Sequence, residues 1–263
     1  MGLLCYTLQF GIMRAIWTGT IGFGLVNIPV KILSATTDSR PDLDMLDRKD
    51  HSRIRYKRVN ERTGKEVGWD QIVRGYMLDD DYVVLDESDF EEASPEKTKM
   101  INLQSFVKEA DIDSIYFESP YYLQAQKGGE KAYVLLLNAL EKTKMAGLST
   151  FVMRNTENLA VIRPHQGILM LNKLRFEEEI RSVEEVKPGQ RIKISKPEMD
   201  MAVQLIKRHT SDFDISAYRD EYSKDLMKII RAKAKGKRPT VRKIKPRKAA
   251  SEDLLEQLKA SLA

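Results

Sequence analysis

Apolar and polar residues alternate along the first part of the chain with the period of a β-strand. Val26, Ile28, Val30 and Ile32 occupy every second position, as expected for a strand with one buried face. Residues 15–33 therefore read as strand, and Gly22 and Gly24 suit a sharp bend or bulge in a curved sheet. Residues 54–59 run into 60–65, which have the composition of a hairpin loop. Short apolar runs follow at 72–78, 82–85, 100–107, 115–117 and 121–123. Strand patterns resume at 149–154, 160–163 and 168–174. Many short strands separated by charged turns predict a β-barrel or sandwich.

Helical patterns are fewer. Residues 130–145 are rich in Ala, Leu, Lys and Glu, with Gly128 and Gly129 before them and Gly147 after them as the stop. From Lys196 the pattern turns helical. Pro197 suits a first turn, and Met199, Val203 and Ile206 share a face. A second helix is expected over 218–234, with Tyr222, Leu226 and Ile229 facing inward. Residues 252–262 can form a short amphipathic helix through Leu254, Leu255, Leu258 and Leu262, too short to be stable alone. The expected divisions are an extension at 1–12, a core at 13–195, a helical arm at 196–230 and a basic flexible tail at 231–263. Residues 1–12 are expected to precede the native start at Met13, which the intact mass of the native protein tests.

Charge changes this picture. The net charge is +5, yet residues 231–248 alone hold ten basic residues and no acidic one. The rest of the chain is therefore mildly acidic, and the basic character sits in one block. Such a block is a common footprint of nucleic-acid binding, and otherwise a solvated, solubilising tail. A second concentration comprises Arg53, Arg55, Lys57, Arg58, Arg62 and Lys65. On a hairpin these could share one face and lie along phosphates without reading bases; the alternative is an ordinary charged surface. The single cysteine, Cys5, permits no internal disulfide, which fits a reducing cytoplasm. No apolar run approaches the length of a membrane span.

The sequence motifs point away from chemistry. Gly19-x-x-Gly22-x-Gly24 has the wrong order for a dinucleotide loop, and no helix follows it. Asp42, Asp47 and Lys49 superficially resemble a metal-dependent nuclease core, but without strand pattern they read as a charged loop. His51, His165 and His209 are scattered, and the closeness of His209 to Asp212 and Asp214 reads as a helix-end contact. Asp79, Asp80 and Asp81 read as a solvated turn. No catalytic residue, metal site or cofactor is expected.

Three motifs carry a family resemblance. The first runs from Met13-Arg14-Ala15-Ile16-Trp17-Thr18-Gly19 through Ile21-x-Phe23-Gly24-Leu25-Val26-x-Ile28-Pro29-Val30. The second is Tyr116-Phe117-Glu118-x-Pro120-Tyr121-Tyr122-Leu123, followed by Lys131-Ala132-Tyr133. The third joins Ala202-x-x-Leu205-Ile206 and Phe213-Asp214 to Tyr218-x-Asp220-Glu221-Tyr222. In this order they resemble the bacterial Ku family over most of 13–236. The resemblance implies a mainly β fold with α elements: a β-barrel core, strand-and-loop arms and a helical C-terminal arm. It also implies a ring-shaped homodimer that threads onto linear double-stranded DNA ends in non-homologous end joining. An ATP-dependent DNA ligase would be its partner, and the cytoplasm, at the nucleoid, its location.

The phosphate contacts are expected at Arg53, Arg55, Lys57, Arg58, Arg62 and Lys65, on charge clustering alone. Lys233, Lys235, Lys237, Arg238, Arg242, Lys243, Lys245, Arg247 and Lys248 are expected to add nonspecific affinity. The competing functions are a histone-like DNA compactor, which binds circles and linear DNA alike, and a metal-dependent nuclease, which shortens ends.

Overall fold

The computed structural model describes residues 13–93, 99–186, 193–237, 256–258 and 261. Residues 13–38 and 52–182 fall in one compact unit, and 39–51 and 183–263 in a second. The first unit is built on the alternating pattern of the N-terminal residues. β1 (Ala15–Phe23) and β2 (Val26–Ser34) form an antiparallel hairpin that turns at Gly24 and Leu25. Gly24, at φ +57°, thus lies in the turn and not in a bulge, and the register shift falls between Ala15 and Trp17. The alternation holds where β2 enters the core: Ile28, Val30 and Ile32 are fully buried, while Val26 beside the turn is exposed.

After β2 the chain leaves the barrel and carries β3 (Arg74–Leu78), β4 (Asp81–Leu85) and α1 (Glu87–Ala93) before returning as β5 (Met100–Lys108). β3 and β4 pair only with each other, turning at Asp79 and Asp80, both with positive φ. β6 (Phe117–Ala125), α2 (Glu130–Thr143), β7 (Met145–Met153), β8 (Thr156–His165) and β9 (Ile168–Leu174) complete the unit. Seven strands close a barrel in the order β1-β2-β6-β9-β8-β7-β5, and β5 returns to β1 as a parallel neighbour. Residues 115–117 are not a strand: a 3₁₀ turn at Ser114–Tyr116, capped by Asp113, precedes β6.

α2 plugs the barrel because its apolar residues recur at helical spacing. Tyr133, Leu136, Leu137 and Leu140 are buried in one cluster with Ile21, Ile101, Phe151 and Leu171 of the strands. The helix ends earlier than expected, at Lys144 in a left-handed conformation. Gly147 is not its stop but part of β7, where a Cβ would lie 2.4 Å from Leu103. Gly19 is required for a similar reason: a Cβ there would stand 2.2 Å from both the Trp17 indole and the Lys99 carbonyl. That indole donates its Nε1 hydrogen to the Val152 carbonyl at 3.0 Å and meets Phe151 edge-on.

The second unit contains α3 (Lys196–Arg208) and α4 (Glu221–Ala234). Ser195 and Glu198 form a reciprocal capping box at the start of α3, with Pro197 in the first turn. Met199, Val203 and Ile206 do share a face, but that face is exposed; Met201, Ala202 and Leu205 are half-buried instead. α4 starts at Glu221 and not at Tyr218, because Asp220 accepts the Ser223 amide hydrogen and caps it there. Tyr222 is exposed, Ser223 is buried, and Leu226 and Ile229, as expected, are half-buried together with Ile230. Of 252–262, only 256–258 and 261 are described, as helix, and residues 1–12 lie outside the described residues.

Candidate nucleic-acid interface

The basic cluster at 53–65 belongs to the excursion between β2 and β5. Its fold follows from a few local bonds. The Asn60 side-chain oxygen accepts from the Arg62 and Thr63 amides at 3.1 and 3.0 Å. The Asn60 carbonyl accepts from Gly64, which takes φ +67°. The Asn60 amide then donates to the Lys65 carbonyl, and that of Val67 to the Arg58 carbonyl. The result is the expected hairpin loop, closed by one bridge between Val59 and Glu66. No ladder extends over 53–58, so the strand alternation expected to align Arg53, Arg55 and Lys57 on one face is not imposed there.

All six basic residues are exposed, but they differ in what they touch. Lys57 is paired with Glu66 at 2.6 Å. The hydrogen bond to Glu66 and its negative charge hold the Lys57 pKa above the usual lysine value. The Arg58 guanidinium lies 3.6 Å from the centre of the exposed Trp69 ring, a cation–π stack. Arg55, Arg62 and Lys65 make no ion pair among the described residues and lie open to solvent. Arg53 also has a bonded partner. The Arg58–Trp69 stack was missed in the sequence, because eleven positions separate the two residues without any periodic signal.

The second expected group lies at the end of α4. Lys233 is in its last turn, Lys235 caps it, and Lys237 follows Gly236. Cations at this end are favoured by the unpaired carbonyls. Arg238, Arg242, Lys243, Lys245, Arg247 and Lys248 lie outside the described residues. The acidic loop at 42–49 is a surface turn, in which Asp47 accepts from the Lys49 amide. Among the described residues no group of His, Cys, Asp or Glu could hold a metal, and no helix is long and apolar enough to cross a membrane.

A family model described as the Ku70/Ku80 β-barrel domain matches residues 22–201. The chain belongs to the Ku family. It is 38% identical over 257 residues to the non-homologous end joining protein Ku of Coxiella burnetii, covering 95% of this chain and 94% of that one. Against the protein of the same name from Archaeoglobus fulgidus it is 40% identical over 254 residues, covering 95% and 98%. The Ku match runs from the end of β1 through the other six barrel strands and the excursion 35–99 and reaches into α3. The Ku motifs of the sequence build structure: the first forms the β1–β2 hairpin, the second β6 and the start of α2, and the third the capped helices of the second unit. The basic clusters lie outside them.

Proposed function

We propose that this protein binds double-stranded DNA ends without sequence preference in non-homologous end joining, as a ring-shaped homodimer with no catalysis of its own. The observation that carries the reading is Ku-family membership over nearly the whole chain, with relatives named for end joining. The exposed cations on the excursion support it. Affinity for any end must come from phosphate charge and duplex shape, not base edges. A twofold dimer presents the same cations on both sides of a duplex, and a ring that loads only by threading has no entry to a closed circle. In this reading 13–195 supplies the core and the DNA-encircling arm, 196–230 the helical arm and 231–263 a tail that adds nonspecific affinity.

The deciding experiment is a gel shift with one plasmid, closed circular against linearised, at fixed salt and without metal. Binding to the linear form alone is expected. Equal binding to both would favour the histone-like compactor. An ATP-dependent DNA ligase is the proposed partner, met by residues 214–230 or by the leucine-rich segment 252–262. Pull-down with truncations ending at Ile230 and at Ala250 separates the two.

A further inference from the structure

Among the described residues, Arg58 is the one cation of the 53–65 cluster braced by an aromatic ring. The bracing follows from how the loop closes. The Val67 amide donates to the Arg58 carbonyl at 2.9 Å and Val59 bridges to Glu66, so the two sides of the loop meet there. Trp69, two residues beyond that bond, opens the 3₁₀ turn Trp69–Gln71. In that turn the Gln71 amide donates to the Gly68 carbonyl at 3.1 Å and the Ile72 amide to the Trp69 carbonyl at 3.3 Å. The turn fixes the Trp69 backbone, and its indole, 72% exposed, carries the guanidinium 3.6 Å from the ring centre.

The loop thus holds cations in unequal states. Arg55, Arg62 and Lys65 lie open to solvent, and a phosphate contact would cost each of them rotamer freedom. Lys57 already holds Glu66 at 2.6 Å and must leave that carboxylate to reach a phosphate. Arg58 has given up its freedom to a partner that does not neutralise it. A guanidinium stacks through its face and donates through its edge, so the stack leaves its N–H groups for a phosphate. No carboxylate among the described residues pairs with that edge.

We infer that Trp69 is a positioning residue for DNA binding: it holds the Arg58 guanidinium ready for one backbone phosphate and contacts no base itself. Ordering that side chain before DNA arrives removes a cost from association. The indole carries no charge, so it adds affinity without adding salt dependence, a combination that a phosphate ligand cannot give. The inference rests on the end-binding reading and deepens it by ranking the cations of the loop, with Arg58 first.

The test is a fluorescence anisotropy titration of the full-length protein with one blunt linear duplex at several salt concentrations. Trp69→Leu should weaken binding roughly two- to tenfold, the scale of one side chain newly immobilised on binding, and leave the slope of log affinity against log salt unchanged. Trp69→Phe keeps a ring face under the guanidinium and should bind nearly as the parent does. Arg58→Gln should weaken binding and make the slope shallower by about 0.9 for each copy in contact. In the Arg58→Gln background, Trp69→Leu should cost nothing further. A Trp69→Leu variant that binds as the parent does, or a Trp69→Phe variant as weak as Trp69→Leu, overturns the inference. So does Arg58→Gln with unchanged affinity and slope. An equal loss from Trp69→Leu with and without Arg58 would assign Trp69 to loop folding or to direct DNA contact, and likewise overturn it. A parent that does not bind the duplex at all overturns the end-binding reading, and the inference with it.

Discussion

Single residues decide how the barrel is plugged. The Tyr133 hydroxyl donates to the Leu123 carbonyl at 2.7 Å and accepts from the Leu169 amide at 2.8 Å. Burial pushes its pKa up, so the proton needed for donation stays in place. One side chain of α2 thereby ties β6 to β9. Tyr133→Phe keeps the ring and leaves both backbone groups short of a partner. It should destabilise the protein by about 1–3 kcal/mol, read as a Tm lower by several degrees. An unchanged Tm would show that the hydroxyl does not secure the plug. Ser149 and Asn158 follow the same rule of buried polar groups, bonding to the carbonyls of Ala160 and Thr156.

Elements stand or fall by their ends. Hydrogen bonds from Ser195 hold the Glu198 carboxyl below its ordinary range, and bonds from Ser223 do the same for Asp220. A carboxylate with a depressed folded pKa contributes stability above its unfolded pKa and loses it as pH falls through the folded value. The first turns of α3 and α4 should therefore fray only below the ordinary carboxylate range. Amide NMR of Glu198 and Ser223 through an acid titration checks this, and fraying at or above that range would disprove it. β2 was legible because one buried face imposes a period of two, and β9, buried on both faces, was read to the residue from its apolar run. The hairpin loop at 60–65 was legible from its turn residues. On α4 the inward placing of Leu226 and Ile229 was legible, since both are half-buried, and only Tyr222 was misplaced, because its ring is apolar enough to pass for core. The cations at 53–65 were visible as a cluster. Their inequality was not, since the pairing of Lys57 and the stacking of Arg58 depend on contacts across the loop.

At the scale of the whole molecule, the reading divides binding between two sources of charge. Each cation that neutralises a phosphate should steepen the fall of log affinity with log salt by roughly 0.9. Replacing Arg55, Arg62 and Lys65 together by Gln should weaken binding uniformly across sequences and make that slope shallower. Deleting 231–263 should make it shallower too, yet preserve the preference for linear over closed circular DNA. If the preference vanished with the tail, the tail would be the site and the ring argument would fail for this protein.

The barrel seam also fixes an order of events during synthesis. β1 waits for β5, pairing Thr20 with Met100, and β2 waits for β6, pairing Ser34 with Tyr121. β6 in turn needs β9, through Phe117 and Leu174. A ribosome must therefore release the chain past Leu174 before any closed core exists. Until then the first hairpin offers Ile21, Ile28 and Ile32 to whatever is near, because contacts this far apart in sequence form slowly. The wait for β9 makes this a protein whose nascent chain is exposed to aggregation through roughly the first two-thirds of its own translation.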